Sequence, residues 1–192
     1  MTNDNTNGRP KELPTLWTER LVLRPWLMAD APNVQRLAGA REIADTTLNM
    51  PHPYEDGVAE QWISTHQAAY EQGSRVPLAI TLAGSGAVVG AISLMSIDTR
   101  HERAVIGYWI GKEYWGRGYC TEAAREMLRF GFERLGLNRI VGHHFARNPA
   151  SGRVMRKIGM EHEGTLRQHV KRWDAFEDSE CYGILKSQWS IQ

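Results

Sequence analysis

The sequence predicts a single domain of the mixed α/β class. Three observations indicate this: strand-like and helix-like segments alternate along the chain, three strand-like segments follow one another in its middle, and a long amphipathic segment follows a glycine-containing turn. The chain has 192 residues without an internal repeat or a linker-like stretch, so we expect one domain over residues 13–192. The polar residues 1–12 are expected to form a disordered tail.

The first part of the chain predicts one strand and two helices. The alternation in TERLVLRPW, residues 18–26, is typical of a short strand. Asp30 stands before an Ala-Pro pair, which is typical of a helix start, and this helix is expected to reach about Ala40. The turn-forming residues of TTLNMPHPYEDG, 46–57, predict an irregular loop. A second helix is then expected over residues 57–72.

Three strands are predicted next, in segments rich in Val, Ile and Leu. They cover residues 76–82, 87–94 and 104–110. The sequence AGSG at 83–86 supplies the turn between the first two.

The second half of the chain predicts two helices and three strands. A helix is expected over about 119–135, because its apolar residues recur at a spacing of 3.6 residues. A strand over 139–145 and a short helix over 148–158 follow, and residues 160–185 are expected to contain two more strands. The predicted order is therefore β-α-α-β-β-β-α-β-α-β-β.

The composition excludes several classes of protein. Lys and Arg number 23 against 22 Asp and Glu, a balance that indicates neither a nucleic-acid surface nor a polybasic membrane patch. The longest nearly unbroken apolar run, residues 87–95, is far shorter than the ~18 residues that a membrane-spanning helix needs. The start lacks the apolar core of a signal peptide, and Cys120 and Cys181 do not make a disulfide framework. We expect a cytoplasmic protein without nucleic-acid or membrane partners.

The histidines do not predict a metal site. His143 and His144 are adjacent on a predicted strand, so their side chains face opposite sides of the sheet and cannot easily chelate together. His162 and His169 have no Cys or Asp set at ligand spacing. No metal is expected.

A pair of glycines, Gly116 and Gly118, stands in YWGRGYCTEAA between a predicted strand and a predicted helix. The free N–H groups and the dipole of a helix N-terminus favour an anion, and glycines let a phosphate approach the backbone. A plain tight turn that needs positive φ also explains a lone pair of this kind. There is no P-loop, and the dinucleotide pattern GxGxxG fails after Gly118, so an acyl-CoA pyrophosphate is the best remaining ligand.

A second helix start lies one strand further along the chain. Asn148 and Pro149 form an N-cap followed by proline, and Ser151 lies in the same first turn. Asn148 could serve only as the cap. If the two helix starts lie side by side at the ends of neighbouring strands, they can hold one long ligand between them.

These segments together resemble the GNAT superfamily of acyl-CoA N-acyltransferases, and most closely its RimJ/RimL-like branch, the ribosomal-protein-alanine N-acetyltransferases. The resemblance rests on TERLVLRPW, IGYWIGKEYWGRGYCTEA, IVGHHFARN and NPASGRVMRKIGM, and it covers about residues 16–185. It implies one acyl-CoA N-acyltransferase domain with a mixed, mostly antiparallel sheet, splayed central strands and flanking helices. Acetyl-CoA is implied as the co-substrate.

The resemblance also implies roles for individual residues. Backbone groups of Tyr108, Trp109 and Ile110 are expected to pair with the pantetheine arm where two parallel strands separate. The pyrophosphate is expected on the turn and the first helical residues: Gly116, Arg117, Gly118, Tyr119, Cys120 and Thr121. In the family's pattern (Q/R)xxGx(G/A), Trp115 takes the first position here and Cys120 the last.

Two residues are expected to act in the reaction. By the same resemblance, Asn148 contacts the pantetheine or acyl region, and Ser151 is the candidate general acid for the departing CoA sulfur. The general base is not evident from the sequence; the candidates are Asp98, His101, Glu102, His144 and His169. Candidates for the acceptor pocket are Trp26, His52, Tyr54, Trp173 and Phe176, and Arg117, Arg153 and Lys157 could meet CoA phosphates.

The predicted function is acetyl transfer from acetyl-CoA to a primary amine of a protein N-terminus, a polyamine or a small molecule, by direct attack on the thioester. An α-amine with a pKa near ~7.8 loses its proton more easily than a lysine near ~10.4, a difference of about 3.5 kcal/mol, which favours an α-amine when no strong base is evident. A non-catalytic acyl-CoA-binding or sensor module and a Cys120-based acyl carrier are the alternatives. Exposed strand edges favour a homodimer.

Overall fold

An eight-stranded sheet forms the centre of the computed structural model, which describes residues 12–189. The predicted tail, residues 1–12, lies outside the described residues except for Glu12. The strands are β1 Leu16–Trp17, β2 Leu21–Arg24, β3 Val76–Leu82, β4 Val88–Asp98, β5 Arg103–Ile110, β6 Arg139–Phe145, β7 Glu161–Arg172 and β8 Ala175–Leu185. Their order is β1-β2-β3-β4-β5-β6-β8-β7, and only the β5–β6 pair is parallel among the described strands.

Six α-helices flank the described sheet: α1 Ala31–Ala38, α2 Arg41–Thr46, α3 Val58–Ser64, α4 His66–Glu71, α5 Tyr119–Glu133 and α6 Pro149–Lys157. The prediction of one helix over residues 57–72 is wrong in detail, because Thr65 separates α3 from α4. Its hydroxyl donates to the Trp62 carbonyl at 2.7 Å, where it competes with the helical backbone. Helix α2 was not predicted, since its six residues carry too short a periodic pattern.

The parallel strands β5 and β6 separate part of the way along their length. They pair from Arg103↔Arg139 to Ile106↔Gly142 and no further. Beyond this point β5 stays paired with β4 up to Ile110, while β6 stays paired with β8 up to Phe145. The predicted mixed, mostly antiparallel sheet with splayed central strands is therefore confirmed.

Apolar side chains fix the helices on both faces of the sheet. On one face, α5 buries Met127, Leu128 and Phe132 in the main core. On the other face, Val34 of α1 and Ile63 of α3 pack in a second cluster. Complete burial of such side chains stabilises the fold by roughly 1.5–3 kcal/mol each.

The chain order brings two helix starts to the open end of the splayed strands. Helix α5 begins nine residues after β5 ends, and α6 begins four residues after β6 ends. Since β5 and β6 run parallel, both helices begin at the same edge of the sheet. Among residues 12–189, no helix is both long and apolar enough to cross a membrane.

Candidate functional site

The glycine turn, which we define as residues 115–121, has the backbone of an anion site. Gly116 has φ of 74° and Gly118 has φ of 81°, both in the left-handed region that favours glycine. Gly118 is the N-cap of α5. Within residues 12–189, the N–H groups of Tyr119, Cys120 and Thr121 have no hydrogen-bond acceptor, as expected for the first turn of a helix. These donors therefore remain free for a ligand.

Trp115 ties the glycine turn back to the strand that precedes it. Its indole Nε1 donates to the carbonyl of Ile110 at 2.6 Å, while 48% of the residue stays exposed. Arg117 is exposed on the turn, and its guanidinium donates to the carbonyl of Glu113 at 3.2 Å. The turn is thus held at its start, and its basic side chain stays at the surface.

Cys120 lies against the core at the start of α5. It is free and partly buried, and it packs against the main cluster of apolar side chains. Burial raises the pKa of its thiol strongly, so the thiolate is disfavoured. A nucleophilic cysteine needs the opposite environment, which argues against the acyl-carrier alternative.

Asn148 and Ser151 lie together at the start of α6. The Asn148 side-chain oxygen accepts a hydrogen bond from the Ser151 backbone N–H at 3.4 Å, so Asn148 caps the helix. The Ser151 hydroxyl lies 3.1 Å from the hydroxyl of Tyr108, which also donates to the Ser151 carbonyl at 3.2 Å. The structure thus brings Tyr108 of β5 into contact with Ser151 of α6, although the sequence placed them in two separate segments.

The hydroxyl of Tyr108 was not anticipated from the sequence, which predicted a role only for the Tyr108 backbone. Burial is the main reason that the pKa of this phenol is raised, and the neighbouring Cys120 thiol raises it further. The phenol therefore stays protonated and can donate a hydrogen bond at any physiological pH. Tyr108 lies between Cys120 on α5 and Ser151 on α6, so it links the two helix starts.

Three of the candidate bases lie away from this site. Asp98 is the last residue of β4, and His101 and Glu102 lie in the turn that leads to the start of β5. Tyr108 lies near the other end of that strand, about 17 Å away at ~3.3 Å per residue. Asp98 accepts a hydrogen bond from the His101 backbone and lies 3.6 Å from Arg103, so it stabilises the turn. This distance argues against these three residues as the base.

The two histidine candidates lie in contrasting surroundings. His169 is exposed on β7. His144 is buried on β6, and its Nδ1 donates to the Phe145 carbonyl at 2.8 Å, since a carbonyl can only accept. Its Nε2 is buried without a partner in the described part of the chain and faces Gly152, where an added Cβ would lie 2.6 Å away. His144 therefore lies beneath the first turn of α6, on the part of β6 that no longer pairs with β5.

The aromatic candidates for an acceptor pocket are divided by the structure. The rings of His52 and Trp173 lie 6.4 Å apart, and Trp173 and Phe176 are 46% and 63% exposed. Trp26 is buried against Trp62, with ring centroids 5.0 Å apart, and it therefore belongs to the core. Tyr54 is half-buried, and burial raises its pKa. Arg153 and Lys157, the candidate phosphate contacts on α6, are exposed.

Arg172 is a buried residue that sequence reasoning missed. It is 8% exposed at the end of β7, and its guanidinium donates to the carbonyls of Ala44, Leu48 and Met50. Its Cζ also lies 3.9 Å from the ring centroid of Trp173. We call Arg172 and these three carbonyls the Arg172 clamp; it joins the end of α2 and the following loop to the β7–β8 hairpin. No sequence signal distinguishes Arg172 from its exposed neighbours.

The described residues offer no obvious metal site. Between Glu12 and Trp189, no group of three or more His, Cys, Asp or Glu side chains stands close enough together to hold an ion.

Comparison with known proteins places the chain in a family. A model of the acetyltransferase (GNAT) domain matches residues 20–161. The uncharacterized N-acetyltransferase YoaA of Bacillus subtilis is 30% identical over 174 residues, which cover 90% of this chain and 97% of YoaA. The ribosomal-protein-serine acetyltransferase of Escherichia coli is 30% identical over 102 residues, covering 53% of this chain and 57% of that protein.

A solved structure agrees with these relatives. RimJ of Mycobacterium smegmatis, determined in complex with CoA-disulfide, has a TM-score of 0.82 over 92% of this chain and 89% of its own, at 24% identity. This likeness shows the fold alone. The resemblance inferred from the four sequence segments is confirmed by the family match and the relatives: the chain belongs to the GNAT family and is an N-acetyltransferase.

Proposed function

We propose that this N-acetyltransferase moves an acetyl group from acetyl-CoA to a primary amine by direct attack of the amine on the thioester. One observation carries the proposal. Free backbone donors at the start of α5 and the Tyr108–Ser151 hydroxyl pair at the start of α6 meet at the open end of two splayed strands. This arrangement suits a ligand with a diphosphate at one end and a thioester at the other.

The residues present fit CoA along its length. The diphosphate suits the free N–H groups of the glycine turn, because these groups and the α5 dipole favour an anion. The amide-bearing pantetheine arm suits the backbone of β5 after Ile106, which pairs with β4 but no longer with β6. In the proposal the contacts are made by Tyr108, Trp109, Ile110, Gly116, Arg117, Gly118, Tyr119, Cys120, Thr121, Asn148 and Ser151.

Acetyl-CoA supplies the acetyl group as a thioester, whose carbonyl carbon is attacked by a neutral amine. The amine nitrogen forms the new bond, the carbon–sulfur bond breaks, and CoA leaves as the thiol. Ser151 gives its hydroxyl proton to the sulfur. Water then returns a proton to Ser151, whose hydroxyl is hydrogen-bonded at 3.1 Å to the Tyr108 phenol, and this phenol stays protonated. The excess proton of the amine passes to water.

An α-amine is the acceptor that we favour. Asp98, His101 and Glu102 lie at the end of β5 that is far from Tyr108, and His144 is buried beneath the first turn of α6. An acceptor that is already partly neutral near pH 7 needs the least help, and an α-amine with a pKa near ~7.8 meets this condition. The name of the Escherichia coli relative, a ribosomal-protein-serine acetyltransferase, agrees with a protein as the acceptor.

A thiol-release assay tests the proposal. Acetyl-CoA is offered with a panel of peptides that have free or blocked N-termini, with polyamines and with small amines, while CoA binding is followed by calorimetry. We expect release that depends on a free α-amine. Ser151→Ala is expected to lower kcat about 100-fold with little change in the Kd for CoA, because a general acid typically contributes a factor of this order.

Each other outcome is informative. CoA binding without release from any amine would support the acyl-CoA-binding alternative. Absence of CoA binding by the wild-type protein would contradict the proposed function.

A further inference from the structure

The segment TER at Thr18–Arg20 contacts the glycine turn from almost a hundred residues away in the chain. The Arg20 guanidinium donates to the carbonyl of Arg117 at 3.1 Å and, through Nε, to the Glu122 carboxylate at 2.7 Å. The Arg20 backbone N–H and the Thr18 hydroxyl donate to the other Glu122 oxygen, at 2.8 and 2.6 Å. The Arg20 guanidinium also lies over the ring of Tyr119, at 5.0 Å from its centroid. Five contacts thus converge on residues 117–122.

The contact with the Arg117 carbonyl orients a peptide group. In a trans peptide the carbonyl and the following N–H point in opposite directions. Arg20 holds the Arg117 carbonyl on its own side of the turn, so the N–H of Gly118 points to the opposite side. There it can join the free N–H groups of Tyr119, Cys120 and Thr121.

The contact with Glu122 neutralises a negative charge that lies close to the proposed anion site. Glu122 lies in the first turn of α5, where a carboxylate repels any anion that approaches the same helix N-terminus. Partial burial opposes its ionisation, but hydrogen bonds from Thr18 and Arg20 outweigh this effect and lower the pKa of Glu122. Glu122 is therefore charged at neutral pH, and Arg20 is the cation that neutralises it.

We propose that Arg20 is a positioning residue for the diphosphate of CoA, because it orients the Arg117–Gly118 peptide and cancels the charge of Glu122 at the α5 N-terminus. Arg20 acts on the ligand through the turn. The inference rests on the proposed function, since it names the residue that prepares the same site for its anion.

A second ion pair on the same helix provides a matched control. Arg129 and Glu126 pair at 44% and 10% side-chain exposure, compared with 47% and 17% for Arg20 and Glu122. The Arg129–Glu126 pair lies in the middle of α5 and makes no recorded contact with the glycine turn. Removing either arginine should therefore have similar effects on folding, and only Arg20 should affect the ligand.

The test measures the Kd for CoA by calorimetry together with the thermal midpoint of the unliganded protein. Arg20→Ala is expected to weaken CoA binding about tenfold, because Glu122 is left uncompensated and the Arg117 carbonyl is released. Combining Arg20→Ala with Glu122→Gln should reduce this loss to about threefold, because the repulsive charge is gone. Arg129→Ala should leave the Kd unchanged. Arg20→Lys should fall between wild type and Arg20→Ala, because lysine keeps the charge but cannot reach both acceptors.

Three results would overturn the inference. If Arg20→Ala binds CoA as tightly as the wild type does, the glycine turn does not need Arg20 to bind the diphosphate. If the double variant binds CoA no better than Arg20→Ala alone, Arg20 contacts the ligand itself and is not a positioning residue. If Arg129→Ala weakens binding equally, the effect comes from the stability of α5. Failure of the wild type to bind CoA is a separate result, which would contradict the proposed function.

Discussion

The glycine turn and the Arg172 clamp each use one arginine to join distant parts of the chain, but in opposite environments. Arg20 is half exposed and is paired with a carboxylate. Arg172 is 8% exposed and meets only backbone carbonyls among the contacts recorded for its guanidinium nitrogens. An exposed ion pair contributes little to stability, so the value of Arg20 lies in the field and the peptide orientation that a ligand meets. A buried cation on carbonyls contributes to the folded state itself, because its loss leaves several acceptors without donors.

Removing the Arg172 guanidinium is the strongest test of this difference between the two arginines. Arg172→Ala removes the donor from three carbonyls and is expected to destabilise the protein by about 4 kcal/mol. Urea unfolding followed by circular dichroism measures this change. The adjacent Lys171 is exposed, and Lys171→Ala should stay within about 0.5 kcal/mol of wild type. A clamp variant as stable as the Lys171 variant would show that water replaces the guanidinium without cost.

A buried histidine of α4, His66, makes the stability of the fold depend on pH. His66 is buried between Trp26 and Trp62, and burial lowers its pKa to about 4, with a smaller contribution from Arg75. The unfolded chain takes up a proton near pH 6.5 while the folded protein resists it. Stability from this group is therefore complete above pH 6.5 and is lost as the pH falls toward 4, by about 3 kcal/mol in total.

His66→Phe should remove this pH dependence, as measured by urea unfolding at several pH values between 4 and 7. His101→Gln changes an exposed histidine of the β4–β5 connection and should retain it. A His66→Phe variant with the full pH dependence of wild type would assign the effect to other groups.

The smallest expected effect on stability belongs to the glycine turn. Gly116→Ala has open space for its Cβ but must adopt φ of 74°, so it should cost about 1–2 kcal/mol or distort the turn and weaken CoA binding. Gly84→Ala also meets open space, but without a positive φ, and should be close to neutral. Thermal unfolding and CoA calorimetry on both variants compare backbone strain directly. Equal behaviour of the two variants would show that the positive φ at Gly116 is not needed.

The glycine turn and the Arg172 clamp also differ in how far they could be predicted from the sequence, because the first depends on neighbouring residues and the second on distant ones. The start of α5 after Gly118 and the cap at Asn148 depend on a few neighbouring residues, so local patterns were sufficient to find them. The contact of Tyr108 with Ser151 depends on how β5, β6 and α6 pack, and no local pattern contains it.

The burial of Arg172 was beyond prediction for a related reason. Its strand β7 is otherwise exposed or half-buried, and only the packing of α2 and the following loop covers that one side chain. The break at Thr65 shows the limit on a smaller scale, since one hydroxyl divides a segment whose overall pattern is helical.

The most direct test of the account is a titration of isotope-labelled protein with CoA, followed through the backbone amide resonances. We predict saturable shifts at Gly118, Tyr119, Cys120 and Thr121, with smaller shifts at the open end of β5 and none at the loop that Arg172 holds. Saturating CoA that leaves these four amides unchanged would contradict the central claim that the glycine turn of α5 binds the diphosphate.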